Sequence, residues 1–203
     1  MYDVLIVGGG AAGMQCALVL GSAFQKEFAA SKKVAIIMHQ KASHLQTALF
    51  NNVLGIAPGT TGMEILENGK KQLKEHYPGV TQIEKEKVTG VTSTNDYFNV
   101  ATNKNTYTAK VVVIAVGYTD VFTIKGLEDY VAPHPMARKE KNRIWLKNTG
   151  YLVKPGLYVA GTLAGGRSQF AIAAGSGAQV ATDILTVWND GLHTKVHDKI
   201  KVK

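Results

Sequence analysis

The chain has 203 residues, 45% of them hydrophobic and 19% charged. That mixture excludes bulk disorder and collagen-like or coiled-coil architectures, and the length suffices for one large buried core. Lys and Arg outnumber Asp and Glu by 23 to 15, a net charge of +8, with clusters at Arg138, Lys139, Lys141, Arg143 and Lys147 and at Lys195, Lys199, Lys201 and Lys203.

Basic clusters suit any polyanion. With no zinc-ligand spacing and no aromatic-basic module, solvated lysines are the favoured reading and nucleic acid is not an expected partner. No apolar run approaches the roughly 20 residues of a bilayer span, so no membrane span is expected. The apolar residues 4–7 follow Asp3 with no basic stretch ahead, unlike a secretory signal. Cys16 is the one cysteine, which leaves no intramolecular disulfide and no CxxC redox pair in the chain. The expected compartment is the cytoplasm.

In chain order, residues 2–7 (YDVLIV) form a β-branched run ended by three glycines, the pattern of a strand buried on both faces. An alanine-rich helix follows from Ala11 to about Ala29, then a second buried strand from Val34 to Met38. Strand, helix and strand in this order make a right-handed βαβ unit. Residues 39–61 read as a long loop, a length that in a compact domain usually serves function. Met63 to His76 reads as a helix, stopped at Tyr77-Pro78-Gly79. Turn signals at Gly90, Asn95-Asp96 and Asn103 to Asn105 divide an antiparallel meander into strands near 86–93, 96–101 and 106–109. Val111 to Ala115 reads as a separate buried strand, 118–150 as irregular and basic, Leu157 to Ala160 as the last strand, and about Gln169 to Trp188 as a helix. The expected fold is α/β: a Rossmann-like, three-layer FAD/NAD(P)-binding domain, its mostly parallel sheet flanked by helices on both faces, with a small antiparallel meander. Residues 1–190 form that single domain and 191–203 a loose basic tail.

Gly8-x-Gly10-x-x-Gly13 falls between strand and helix. Gly8 permits the turn, Gly10 admits a pyrophosphate to the backbone, and Gly13 lets the helix pack on the strand. The helix N-terminus adds unpaired N–H groups and partial positive charge. In this context the motif points to dinucleotide binding rather than to a merely structural turn. Dinucleotide folds usually end the second strand on Asp or Glu for the ribose. Here that stretch is Met38-His39-Gln40-Lys41. His39 or Gln40 can hydrogen-bond a ribose, and Lys41 would favour a phosphate.

Five segments in order resemble the FAD domain of thioredoxin reductase-like pyridine nucleotide-disulfide oxidoreductases. They are the opening YDVLIVGGGAAG; Asn52 to Gly55 with Gly59 to Leu66; VVVIAVG at Val111 to Gly117; Pro155 to Thr162; and Ser168 to Gly175. The resemblance implies FAD. By family position Gly8, Gly10, Ala11, Ala12 and Gly13 would face the pyrophosphate, with Ala115 and Gly117 in the strand that ends beside them. Asn52 would lie on the flavin side and Val88 would offer backbone contacts to adenine. Gly161 and Thr162 would sit near the pyrophosphate and ribityl chain. Gln169, Phe170 and Ala171 would lie under the isoalloxazine, where a helix N-terminus stabilises negative charge on reduced flavin. A homodimer is also a family-level expectation.

The chain departs from the family in Met38 to Gln40, which lacks the ribose acid, in the missing CxxC, and in four further respects. Thr162 replaces an aspartate, Leu54 a proline and Val116 a threonine, and only about 40 residues separate Gly117 from Gly156, too few for an inserted nucleotide domain. The reading is a small FAD-binding oxidoreductase related to thioredoxin reductase but without dithiol chemistry of its own, exchanging electrons with a small-molecule or protein donor and acceptor. The alternative is a non-catalytic FAD- or adenine-dinucleotide-binding subunit or sensor. Cys16 is expected in the core. His44 and His134 are the histidines considered as proton donors, and Arg167 is weighed evenly between an anion contact and an exposed helix start. Trp145 and Trp188 are expected to pack, and Ser168 lacks a His-acid partner.

Overall fold

The structure, a computed structural model, describes residues 1–39, 43–119 and 122–196. Twelve strands and four α-helices alternate in it: β1 (Tyr2–Val7), α1 (Ala11–Ser22), α2 (Glu27–Ala30), β2 (Val34–Met38), β3 (Leu49–Phe50), β4 (Thr60–Thr61), α3 (Gly62–His76), β5 (Val80–Glu84), β6 (Val88–Ser93), β7 (Phe98–Thr102), β8 (Thr106–Ile114), β9 (Val131–Pro133), β10 (Ile144–Leu146), β11 (Leu152–Lys154), β12 (Leu157–Val159) and α4 (Phe170–Trp188). The central sheet runs β11-β12-β8-β1-β2-β5. Along that order the pairs are parallel except β11 on β12, with β1 lying between β2 and β8, and the same sheet continues through β7, antiparallel to β8, and β6.

Strand alternation divides the core. Val4 and Ile6 of β1 face α1, α3 and α4 together with Cys16, Leu20, Leu73, Val180 and Ile184. Leu5 and Val7 face the other way, against Val91, Phe98 and Val100 of the meander and Leu146 of β10. The helices therefore pack on one face, not both, and the meander with the β9–β10 hairpin makes the third layer. β1 and β2 read as unbroken apolar runs because both their faces are covered.

α1 is shorter than its alanine-rich sequence predicts. The Ser22 hydroxyl donates to the Val19 carbonyl at 2.8 Å, a side-chain bond that competes with the helix ladder, and Lys26 is extended before α2 begins. Packing of α1 on α4 depends on Gly177, where a Cβ would run into the backbone of Ala12. α4 has 19 residues and a mean hydropathy of 1.3, long and apolar enough by length and composition to cross a membrane. The expectation of no such stretch is corrected on that count. In this fold Gly177, Val180, Ala181, Ile184 and Leu185 of α4 are buried, and Val180, Ala181, Ile184 and Leu185 belong to the helix-side core.

The two strands predicted at 106–109 and 111–115 are one. β8 pairs antiparallel with β7 through Thr106 to Ala109, and parallel with β12 through Val112 to Ile114. β5, an edge strand in which Thr81 and Gln82 interrupt the apolar residues, is not among the predicted strands. Thr194 is 5% exposed and Val196 packs against the helix-side core, so the expected tail is docked at least to Val196. His197 to Lys203 lie outside the described residues.

Candidate functional site: a cavity at the carboxyl ends of the parallel strands

Open parallel sheets bind ligands beyond the carboxyl ends of their strands. Here β1, β2, β8 and β12 run into a cavity of about 550 Å³, within the range of roughly 300–1,000 Å³ that small-molecule sites occupy. Of the residues singled out in the sequence, Gly8, Gly10, Ala11, Ala12, His39, Val88, Ala115, Gly117, Gly161, Thr162, Gln169 and Phe170 line it. Gly13 does not. Asn52 and Ala171 are exposed and lie outside the lining. Gln40 and Lys41 fall outside the described residues.

The glycines of the first turn have different tasks. Gly8 has φ +114, and a Cβ there would collide with the Ala115 carbonyl. A Cβ on Gly13 would collide with the Gly8 carbonyl. Both are required by the chain's own packing. Gly10 has φ −83, which any residue adopts, and a Cβ there would meet nothing within 4 Å. It would stand in the open cavity.

Gly10 also begins α1 without a side-chain cap, and the first turn holds no acidic residue. α3 satisfies its own N-terminus with a capping box between Thr61 and Glu64. The donors and partial positive charge at the start of α1 are thus left to the cavity. At the start of α4, the Gln169 side-chain oxygen turns back to accept from the Phe170 N–H at 2.6 Å. The Phe170 ring meets Phe50 with centroids 5.0 Å apart, and both line the cavity. Gly161, at φ +79, turns the chain from β12 toward the helix. Its N–H donates to the Ser176 hydroxyl at 2.7 Å, and that hydroxyl donates to the Ala173 carbonyl at 2.6 Å.

Several lining residues are ones the sequence reading did not single out: Leu45 and Phe50 from the loop it expected to serve function, Glu86 and Lys87 before β6, and Tyr118, Phe122 and Ile124 after β8. Glu86 is only 7% exposed. Its carboxylate accepts from Thr102 Oγ1 at 2.6 Å, Asn105 Nδ2 at 2.8 Å and Tyr107 OH at 3.0 Å. The Thr102 bond, followed by those from Asn105 and Tyr107, holds its pKa below the usual glutamate value despite burial. No sequence signal singled it out, since its three donors lie on the meander 16 to 21 positions away.

His134 is not placed to give a proton to a ligand. It is buried and outside the lining. Its Nδ1 accepts from the Met136 N–H at 3.1 Å. That leaves Nε2 as the protonated nitrogen, which donates to the Thr162 carbonyl at 3.1 Å. The ring clamps the β9–β10 hairpin to the turn after β12. His44 opens a short 3-10 turn. Cys16 is fully buried and desolvation pushes its thiol pKa far up, so it is inert core. Arg167 and Ser168 are exposed.

The doubly covered parallel sheet, the uncapped glycine turn and the cavity across the strand ends define a dinucleotide-binding α/β domain. Residues 2–148 match the family profile of the pyridine nucleotide-disulphide oxidoreductases, and the chain belongs to that family. A thioredoxin reductase of Treponema pallidum is 32% identical over 120 residues, covering 57% of this chain and 35% of that protein. A ferredoxin–NADP reductase of Streptococcus thermophilus is 30% identical over 123 residues, covering 58% and 35%. The chain therefore spans about a third of the length of the curated relatives it matches. Among solved structures, a thioredoxin reductase from Gloeobacter violaceus superposes with a TM-score of 0.74 at 16% identity, covering 99% of both chains. A ferredoxin-flavin thioredoxin reductase from Clostridium acetobutylicum does so at 0.67 and 18%, covering 93% and 98%.

Proposed function

We propose that this chain holds FAD along the cavity and acts as a flavin oxidoreductase domain whose electron donor and acceptor come from outside it. The observation that carries the reading is Gly10. The fold tolerates a side chain there, and what a side chain would obstruct is the approach of a ligand to the open N-terminus of α1. Bound flavin would supply the electron-carrying chemistry, which no side chain of this protein provides.

The chain's own residues would then bind and orient. Backbone amides at Gly10, Ala11 and Ala12 would take the diphosphate, and the backbone at Val88 would border the adenine. Gly161 and Thr162 would border the ribityl chain. Phe50 and Phe170 would keep water from the ring at the start of α4. The family match, and relatives whose names are those of thioredoxin and ferredoxin–NADP reductases, support a soluble redox carrier or a nicotinamide as the exchange partner. The described residues between Gly117 and Gly156 fold as short turns, the β9–β10 hairpin and β11, and Cys16 is sealed in the core, so neither hydride delivery nor dithiol exchange is assigned to these residues.

A second reading, a nucleotide-binding subunit without turnover, draws on Thr162 and on the missing acid after β2. Flavin absorbance that bleaches anaerobically with NADPH, NADH or dithionite-reduced carrier favours the enzyme. Stable colour with every donor favours the subunit. The central test is Gly10→Val. It should fold with a Tm near the parent's and lose FAD uptake, measured by absorbance of the purified protein and by calorimetry. A Gly10→Val protein that binds FAD as the parent does overturns the proposal.

A further inference from the structure

In the basic cluster, Arg143 differs from its neighbours. Arg138, Lys139, Lys141 and Lys147 are exposed, whereas Arg143 is half-buried. Its guanidinium carbon lies 4.9 Å from the centroid of the Tyr118 ring, within the roughly 6 Å of a cation–π contact. The backbone sets up this pair: Thr119 bridges Arg143 in the antiparallel sense, and the Ile144 N–H donates to the Tyr118 carbonyl at 2.9 Å. Tyr118 lines the cavity and Arg143 stands behind it, outside the lining. No described carboxylate neutralises Arg143, since the ion pairs among the described residues are Lys70–Glu84 and Lys110–Asp3. A partly buried charge of this kind is screened less by salt and water than an exposed one.

The stack belongs to one end of the cavity. His134 meets the Tyr118 ring edge-on, with centroids 5.3 Å apart, and donates from Nε2 to the carbonyl of Thr162, a lining residue. A Cβ on Gly165 would come within 2.8 Å of the Trp145 ring in the same hairpin. Arg143 and Tyr118 therefore lie on the side where the chain turns from β12 into α4. The charged side chains that line the cavity, Glu86 and Lys87, follow β5 at the opposite edge of the parallel strands. At the start of α4 itself, Gln169 has already taken the Phe170 N–H.

We infer that Arg143 is the positive charge of the flavin end: a positioning residue that acts through Tyr118 and raises the electron affinity of the bound ring. The inference rests on the flavin reading of the cavity and names the residue that tunes the cofactor there. Oxidised flavin is neutral at the ring. Taking up two electrons and one proton leaves it with one negative charge, centred on N1. A fixed cation nearby favours that reduced anion and leaves the neutral oxidised form almost untouched.

The test is the two-electron potential of the FAD-loaded protein, measured in weakly alkaline buffer by stepwise reduction with dithionite against a reference dye. Arg143→Gln should bind FAD and shift the potential negative by about 30 mV, the equivalent of a tenfold loss in the reduction equilibrium. Arg143→Lys, which keeps the charge, should recover most of the shift. Tyr118→Phe, which keeps the ring, should match the parent. Tyr118→Leu releases the guanidinium from its stack and should fall as Arg143→Gln does, and the double variant should fall no further than either. Lys141→Gln removes the same unit of charge from an exposed place on the hairpin and should change nothing. Thermal melts report folding, and if Arg143→Gln loses FAD, the potential of Tyr118→Leu decides. A parent that takes up no FAD overturns both the flavin reading and this inference. A parent that takes up FAD, with Arg143→Gln at the parent's potential or with Lys141→Gln shifted equally, overturns the inference alone.

Discussion

Gly8, Gly10 and Gly13 carry different obligations, visible only once each is given a hypothetical side chain. Gly8 and Gly13 are held by collisions with carbonyls of the chain itself, so their replacement damages the protein whether or not a ligand is present. Gly10 is held by nothing in the fold. Glu86 is a second residue whose role is physical before it is chemical. Its carboxylate ties the turn before β6 to Thr102, Asn105 and Tyr107, and so fixes the wall at Val88. Since its pKa is lowered in the folded state, its contribution to stability is present above the ordinary glutamate range near 4.3 and is lost as pH falls through the lower folded value. Glu86→Gln should therefore melt a few degrees below the parent at pH 7. That gap should close as the buffer is taken from about pH 5 down toward pH 3. A gap independent of pH would mean that packing, not the carboxylate's charge, matters there.

At the level of elements, the α1–α4 crossing is the tightest joint of the helical layer. Gly177→Ala places a methyl against the backbone of Ala12 and should cost roughly 3 kcal/mol, as overpacking of a filled core does. For a domain of this size that is a fall in Tm of about 6–12 °C in a thermal melt. An unchanged Tm would show that the two helices can separate freely. The elements also show what could be read in advance. β1, β2, α3 and α4 were legible because each has a period or run that its own neighbours enforce: both faces of β1 and β2 are covered, and α3 carries Thr61 and Glu64 at capping-box spacing. β5 was not legible, because an edge strand with Thr81 and Gln82 among its residues has no such run. β8 was read as two strands because exposed Lys110 interrupts the apolar pattern where the strand changes partners. For the cavity, the glycine turn was legible since its residues are contiguous. Phe50, Glu86 and Ile124 were not, because only tertiary structure brings them to the same wall, and Asn52, carried over from family position, lies outside it.

The whole molecule is a net cation whose cavity should fill with an anionic ligand, and binding to the folded state alone must raise its stability. At a free FAD concentration of 100 times Kd the gain is about 2.7 kcal/mol, or roughly 5–10 °C in Tm for a domain of this size. A Tm that does not respond to saturating FAD, ADP-ribose or riboflavin would remove the cavity from consideration as a nucleotide site. If a redox carrier with an acidic surface is the exchange partner, the basic cluster around Arg138 to Lys147 predicts faster reduction at low ionic strength than at high, because salt screens exposed charges over about 8–10 Å. A small neutral reductant should show no such dependence.

The joint at Ala12 and Gly177 also bears on how the protein is made. The two residues that meet there are 165 positions apart in the sequence, and the turn at Gly161 is tied to Ser176 just before the crossing. During synthesis the glycine turn emerges well before α4, and the wall opposite it cannot exist until α4 has followed. A nascent chain should therefore remain protease-sensitive and unable to retain a nucleotide until α4 has emerged. After that, the site and the hydrophobic layer beneath it should form in one concerted event.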